Sequence, residues 1–221
     1  MTGQATRAVL FDALGTLVYL EPPAPRLRAL LAEQGVVVGE ERAQEGVAAE
    51  IDYYLAHHVE AGTPGALEAL RGRCAAVMSA AIGVPVERET MLASLRFGVF
   101  EDAEPTLREL RARGVRLVVA SNWDCSLPER LEEAGLLSLL HGAAASAVAG
   151  AAKPDPAVFR AALALAGVGA GEALHVGDSF EADVLGARAA GVEAVLVDRS
   201  GSGARHGVRT IRSLREVASL L

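Results

Sequence analysis

The chain has 221 residues, enough for one sizeable core or for a core carrying a smaller insertion. Its formal net charge of −7 argues against a broad nucleic-acid surface. Although 51% of residues are hydrophobic, no apolar run approaches the roughly 20 needed to span a bilayer. Met1 to Arg7 is polar and lacks the layout of a secretion signal, so a cytoplasmic protein without membrane or nucleic-acid partners is expected. Cys74 and Cys125 stand far apart, which is neither a disulfide framework nor a zinc site.

Short apolar runs bounded by turn residues recur at Ala8–Phe11, Val115–Ala120, Ala143–Val148, Ala173–Val176 and Glu193–Val197. All but the last lead into helical patterns, the signature of a parallel sheet built from βα units. Helix punctuation agrees. Glu104-Pro105 opens a helix that ends at Gly114, and Ser126 with Glu129 has capping-box spacing before a segment closed by Gly135. Asp155-Pro156 places a capping carboxylate before a helix whose apolar face is Val158, Phe159, Ala162, Leu163 and Ala166, with Gly167 to end it.

Between about Tyr19 and Phe100 the pattern is helical: Pro25–Gln34, Glu40–Ala61, Gly65–Ile82 and Glu87–Leu95, with Gly and Pro in the gaps. The expected class is therefore α/β, a Rossmann-like doubly wound parallel sheet with a small α-helical cap domain. Residues 1–18 and 101–221 form the core and residues 19–100 the cap. Arg199 to Gly207, rich in Ser and Gly, reads as an exposed loop.

Four segments then fall at the C-terminal ends of predicted strands, where doubly wound sheets place their ligands. They are Asp12 with Gly15 and Thr16, Ser121-Asn122, Lys153-Pro154, and Gly177-Asp178-Ser179 with Asp183 five residues beyond Asp178. Lys153 is the only lysine among 21 basic residues in a chain that otherwise uses arginine. A carboxylate at Asp12 suits nucleophilic attack, and Gly15 lets backbone amides approach an anion. Thr16 and Ser121 offer hydroxyl donors, Asn122 an amide, and Lys153 a point charge. Asp12 and Asp178 suit a hard cation such as Mg²⁺.

This order and spacing resemble the haloacid dehalogenase superfamily, in which D-x-D-G-T, S/T, K and G-D-x-x-x-D motifs surround one phosphate site. The resemblance covers the whole chain, including a helical cap inserted after the first motif. It implies Asp12 and Lys153 as catalytic residues, with Gly15, Thr16, Ser121 and Asn122 binding phosphate or substrate. It further implies Mg²⁺ held by Asp12, Asp178 and the Leu14 carbonyl, with Asp183 supporting the metal or Lys153 from behind.

One position departs from the pattern. Phosphatases of this superfamily carry an acid two residues after the nucleophile, and Leu14 stands there. Positioned acid–base catalysis is worth roughly 10²–10⁴-fold. Three readings stay open: a Mg²⁺-dependent phosphohydrolase of a small phosphorylated metabolite, a 2-haloacid dehalogenase-type hydrolase, and a weak or non-catalytic member binding a phospho-ligand or protein. The retained Asp178 favours the first, and a monomer or homodimer is expected. Phosphonate cleavage through a cap lysine is excluded, because the cap segment has none.

Within the cap, Tyr53-Tyr54 and His57-His58 pair at spacing four on two faces of one helix. Tyr19 and Glu21 fall at the hinge, and Arg26 and Arg28 are within reach of a substrate anion. Ser121-Asn122-Trp123-Asp124 is similar to the S-N-F-D of a less characterised branch of the superfamily. His175, inside an apolar strand, reads as a core histidine.

Overall fold

The computed structural model describes residues 6–201 and 207–221. The chain opens with strand β1 (Ala8–Phe11) and a short β2 (Val18–Leu20), then runs through helices α1 (Pro23–Glu33), α2 (Glu40–His57), α3 (Pro64–Ile82) and α4 (Arg88–Ser94). It returns through β3 (Phe97–Val99) to α5 (Ala103–Ala112), β4 (Arg116–Ser121), α6 (Leu127–Glu133), β5 (Gly142–Ala145) and the single-turn α7 (Ser146–Ala149). The last third holds α8 (Ala157–Ala166), β6 (Ala173–Gly177), a π-helical turn at Phe180–Leu185 leading into α9 (Gly186–Ala189), β7 (Glu193–Val197) and β8 (Thr210–Ile211).

Six strands form one parallel sheet in the order β5-β4-β1-β6-β7-β8. The chain builds outward from β1 in one direction, then crosses back and builds outward in the other. The order reverses between β1 and β6, where a crevice opens at the strand ends. Period-two alternation feeds both faces. Val9, Phe11, Leu117, Val119, Leu174 and Val176 pack toward α5 and α6, whereas Ala8, Leu10, Val118 and Ala120 pack toward α8. Helices α1–α4 enclose a third apolar cluster of their own, with Leu27, Leu31, Leu70, Met78 and Ile82 at its centre.

Several local expectations need adjusting. The strand expected over Ala143–Val148 stops at Ala145, because Ser146 turns into α7 and its hydroxyl donates to the Trp123 carbonyl. The short antiparallel pair β2–β3, where the chain enters and leaves the helical insert, was not read from the sequence; each strand has only three residues. Ser126 precedes α6, but its hydroxyl donates to Asp124 Oδ1 at 2.6 Å and makes no cap. Asp155 does accept from the Ala157 N–H at 2.9 Å, and Gly167 closes α8 at φ +67°. Of the loop expected over Arg199–Gly207, and of the N-terminal Met1–Arg7, residues 202–206 and 1–5 lie outside the described residues. Among the described residues no helix is long and apolar enough to cross a membrane.

Candidate active site

The site is assembled where β1 and β6 end, and the Asp12 N–H donates to the Val176 carbonyl across that junction. Asp12 is 6% exposed. Its Oδ1 accepts from the Ser121 hydroxyl at 2.9 Å and from Lys153 Nζ at 2.6 Å. Among the described residues both bonds fall on Oδ1, so Oδ2 is the oxygen left to act on a ligand.

Lys153 is itself buried and donates a second bond, 2.6 Å, to Asp183 Oδ1. Asp183 also meets His175 Nε2 at 2.9 Å on the same oxygen and accepts the Ser179 N–H on Oδ2 at 2.9 Å. Both Asp183 oxygens are thereby engaged. Gly177 is required here, because a Cβ on it would collide with the Asp183 carboxylate.

The electrostatics follow from this packing. Burial raises the Asp12 carboxyl, with the Lys153 ammonium pulling the other way. Burial alone would lower the Lys153 ammonium, but the flanking carboxylates of Asp12 and Asp183 hold it above its ordinary value. Burial would likewise raise Asp183, yet Lys153 and the His175 hydrogen bond bring it well below the usual carboxylate range. Asp178 sits at the open mouth, where partial burial and then the charges of Asp12 and Asp183 push it up to about 7.

One oxygen each from Asp12, Asp178 and Asp183 lie within 4.8 Å of one another. Three carboxylates against one ammonium leave a surplus of negative charge, and an all-oxygen donor set suits a hard divalent cation. Because Asp183 is occupied by Lys153, His175 and Ser179, Asp12 and Asp178 are the carboxylates free to ligate. Gly15, at φ +87°, makes room for this; a Cβ there would strike the Asp178 carboxylate.

The remaining sequence-predicted residues divide. Asn122 does not turn its amide to the crevice: its Nδ2 donates to the Lys153 carbonyl at 3.1 Å and its Oδ1 accepts the Lys153 N–H at 2.7 Å. It fixes the backbone that carries the lysine. Thr16 is fully buried, and its hydroxyl has no hydrogen-bond partner among the described residues. Leu14 is 41% exposed and borders a cavity between the helical insert and the sheet. His175 is buried as expected of a core histidine, but it also belongs to the lysine–carboxylate chain.

In the insert, Tyr54 Oη donates to Asp124 Oδ2 at 2.8 Å and His58 Nε2 meets the Ser146 hydroxyl at 3.0 Å, so both bridge to the sheet side. Tyr53 and His57 stack on each other instead. Arg26 and Arg28 donate to the Ala93 and Val38 carbonyls within the insert. Arg199, expected from the sequence at the start of an exposed loop, is instead half-buried and tied down. It binds Asp102 and the Thr16 carbonyl and lies 3.8 Å over the Phe100 ring, bracing the turn that follows Asp12.

Comparison with known proteins gives a consistent picture. A bovine (Bos taurus) protein named haloacid dehalogenase-like hydrolase domain-containing protein 3 is 46% identical over 99 residues, 45% of this chain and 39% of that protein. A phosphoserine phosphatase from Thermus thermophilus is 44% identical over 105 residues, covering 47% and 42%. The matched stretches thus span about two fifths of these relatives. A magnesium-bound structure of the HAD-hydrolase YfnB from Bacillus subtilis superposes over 99% of both chains with a TM-score of 0.71 at 20% identity, a likeness of fold. The model of the haloacid dehalogenase-like hydrolase family matches residues 6–191, and the chain belongs to that family.

Proposed function

We propose that this chain is a Mg²⁺-dependent phosphohydrolase of a small phosphorylated metabolite, working through an aspartyl-phosphate at Asp12. The observation that carries the reading is the crowding of Asp12 and Asp178 beside the buried Lys153–Asp183 pair. Relatives named as phosphatases support it. Asp12 and Asp178 would hold the ion, with the Leu14 carbonyl as the family resemblance implies. When bound, Mg²⁺ neutralises charge on the phosphoryl oxygens.

Asp12 Oδ2 attacks phosphorus, a P–O bond to the carboxylate forms, and the ester P–O bond breaks with its electron pair on the leaving oxygen. Ser121 and Lys153 hold Oδ1 so that Oδ2 is aimed, and the Lys153 ammonium balances charge through both steps. Water then attacks phosphorus: its P–O bond forms, the P–O bond to Asp12 breaks with its electron pair on the carboxylate, and the proton of the attacking water passes to solvent as inorganic phosphate leaves. Asp183, His175 and Asn122 position the lysine. Residues 19–100 act as a cap that closes over the crevice.

Leu14 cannot protonate the leaving oxygen. That favours leaving groups that depart as stable anions, and it also keeps a second reading in view, halide displacement from a 2-haloacid. The retained Asp178 opposes that second reading. Acetyl phosphate, whose carboxylate leaves without a proton, is the discriminating substrate. Hydrolysis that needs Mg²⁺ and vanishes in Asp12→Asn is expected; turnover of a 2-haloacid in EDTA, with none of acetyl phosphate, would overturn the proposal.

A further inference from the structure

A cavity of about 130 Å³ lies between α2, α4 and the segment Asn122–Ser126. Leu14 and Asn122 line it and also border the Asp12–Lys153 cluster, so it opens beside the reacting centre. The rest of its wall is chiefly apolar and includes Ile51, Leu55, Met91, Phe97 and Trp123.

Its polar groups are mostly committed elsewhere. Tyr54 donates to Asp124, Ser126 donates to the other Asp124 oxygen, and Asn122 is tied to the Lys153 backbone. Arg71 pairs with Glu68, and Arg130 with Glu133. A polyhydroxylated group entering this space would find few free partners, and each unpaired hydroxyl would lose its hydrogen bonds to water. Glu50, 3% exposed, lines the cavity as well; it pairs with no cation among the described residues but is engaged by the Cys74 thiol.

Building on the phosphohydrolase reading, we infer that this cavity takes the organic part of the substrate, and that the substrate is a phosphate monoester of an apolar phenol. The cavity wall supplies the match for the ring. The ring also answers the chemistry of Leu14: the P–O bond breaks with its electron pair on a phenolate, which then takes a proton from water. No acid at position 14 is needed for a leaving group of that kind.

The test compares 1-naphthyl phosphate, glucose 6-phosphate and acetyl phosphate in the presence of Mg²⁺, on the wild-type chain and on Leu55→Glu. Leu55 is 54% exposed, so the substitution charges the cavity wall without opening the core. Expected is a kcat/KM for naphthyl phosphate at least tenfold above that for glucose 6-phosphate. Leu55→Glu should lower the naphthyl value by about tenfold or more, on the scale of hydrophobic-pocket discrimination, and lower that for acetyl phosphate, whose methyl group meets far less of the wall, by much less.

Equal or better turnover of glucose 6-phosphate would overturn the inference, with hydrolysis of acetyl phosphate still upholding the phosphohydrolase reading. Failure on acetyl phosphate would instead sink that reading. Calorimetric binding of naphthyl phosphate to Asp12→Asn, weakened by Leu55→Glu, then separately supports the cavity assignment; no binding, or binding indifferent to the substitution, overturns it.

Discussion

Lys153 Nζ lies 2.6 Å from Asp12 Oδ1, and both side chains are buried at the point where the strand order reverses. The ammonium pairs with Asp12 and Asp183 together, each at 2.6 Å. Lys153→Met should therefore abolish turnover and also destabilise the fold by about 3–5 kcal/mol, because it strands two buried carboxylates. Urea denaturation followed by circular dichroism checks the second effect. A variant as stable as the wild type would mean that the carboxylates are not charged in the native state.

Leu14→Asp restores an acid at a position with room for one, since the side chain is 41% exposed. Turnover of alkyl phosphates should rise, by as much as roughly 10²–10⁴-fold, with a smaller gain for aryl and acyl phosphates. Comparing the two classes in one folded variant gives the answer. An equal gain for both would place the effect on the step they share, water attack on the aspartyl-phosphate, because only the alkyl leaving groups need the proton in the first step.

Asp178 titrates near 7 in the folded protein against 3.8 for the free group. Between those values the native state holds a proton that the unfolded chain has lost, so this group's contribution to stability is present below about 4 and declines as pH rises through about 7. Mg²⁺ competes with that proton. Its stabilisation of the protein should strengthen from pH 6 to pH 8, and both effects should disappear in Asp178→Asn. Thermal melts across that range, with and without Mg²⁺, measure them. Magnesium stabilisation surviving in Asp178→Asn would place the ion elsewhere.

Tyr54 Oη spans from the helical insert to Asp124 Oδ2 at 2.8 Å. Tyr54→Phe removes that bond and should cost about 1–3 kcal/mol, because Asp124 loses a partner in a buried place. It should also loosen the insert and raise KM more than it lowers kcat. Steady-state kinetics on acetyl and naphthyl phosphates would register the shift, and an unchanged KM for both would show that this contact does not govern closure.

Much of the architecture was legible because it depends on local patterns. Ala8–Phe11 and Glu193–Val197 are continuous apolar runs bounded by turn residues, and they form strands over those same residues. The α8 helix carries its apolar stripe and terminal glycine in view. The hinge strands β2 and β3 were not legible. They are three residues each and separated by the whole insert, so nothing local distinguishes them from loop. Ser126 and Glu129 misled because capping-box spacing says nothing of a competing acceptor, and Asp124 supplies one two residues away.

The same division runs through the site. The sequence by itself determined which chemical groups stand at the strand ends: Asp12, Ser121, Lys153, Asp178 and Asp183, with Leu14 where an acid would be expected. Those follow from motif order, because each is tied to the strand or turn that presents it. Only the tertiary structure decided how the groups are shared. It spends the Asn122 amide on the Lys153 backbone, engages both Asp183 oxygens, and brings His175 and Arg199 in to brace the site. It also brings Glu50 and Leu14 to the wall of one cavity. The His175 and Ser179 bonds to Asp183 span 8 and 4 residues, but the partners of Lys153, Asn122 and Arg199 lie 30 to 183 residues away and are fixed by sheet order and helix packing, which no local spacing encodes.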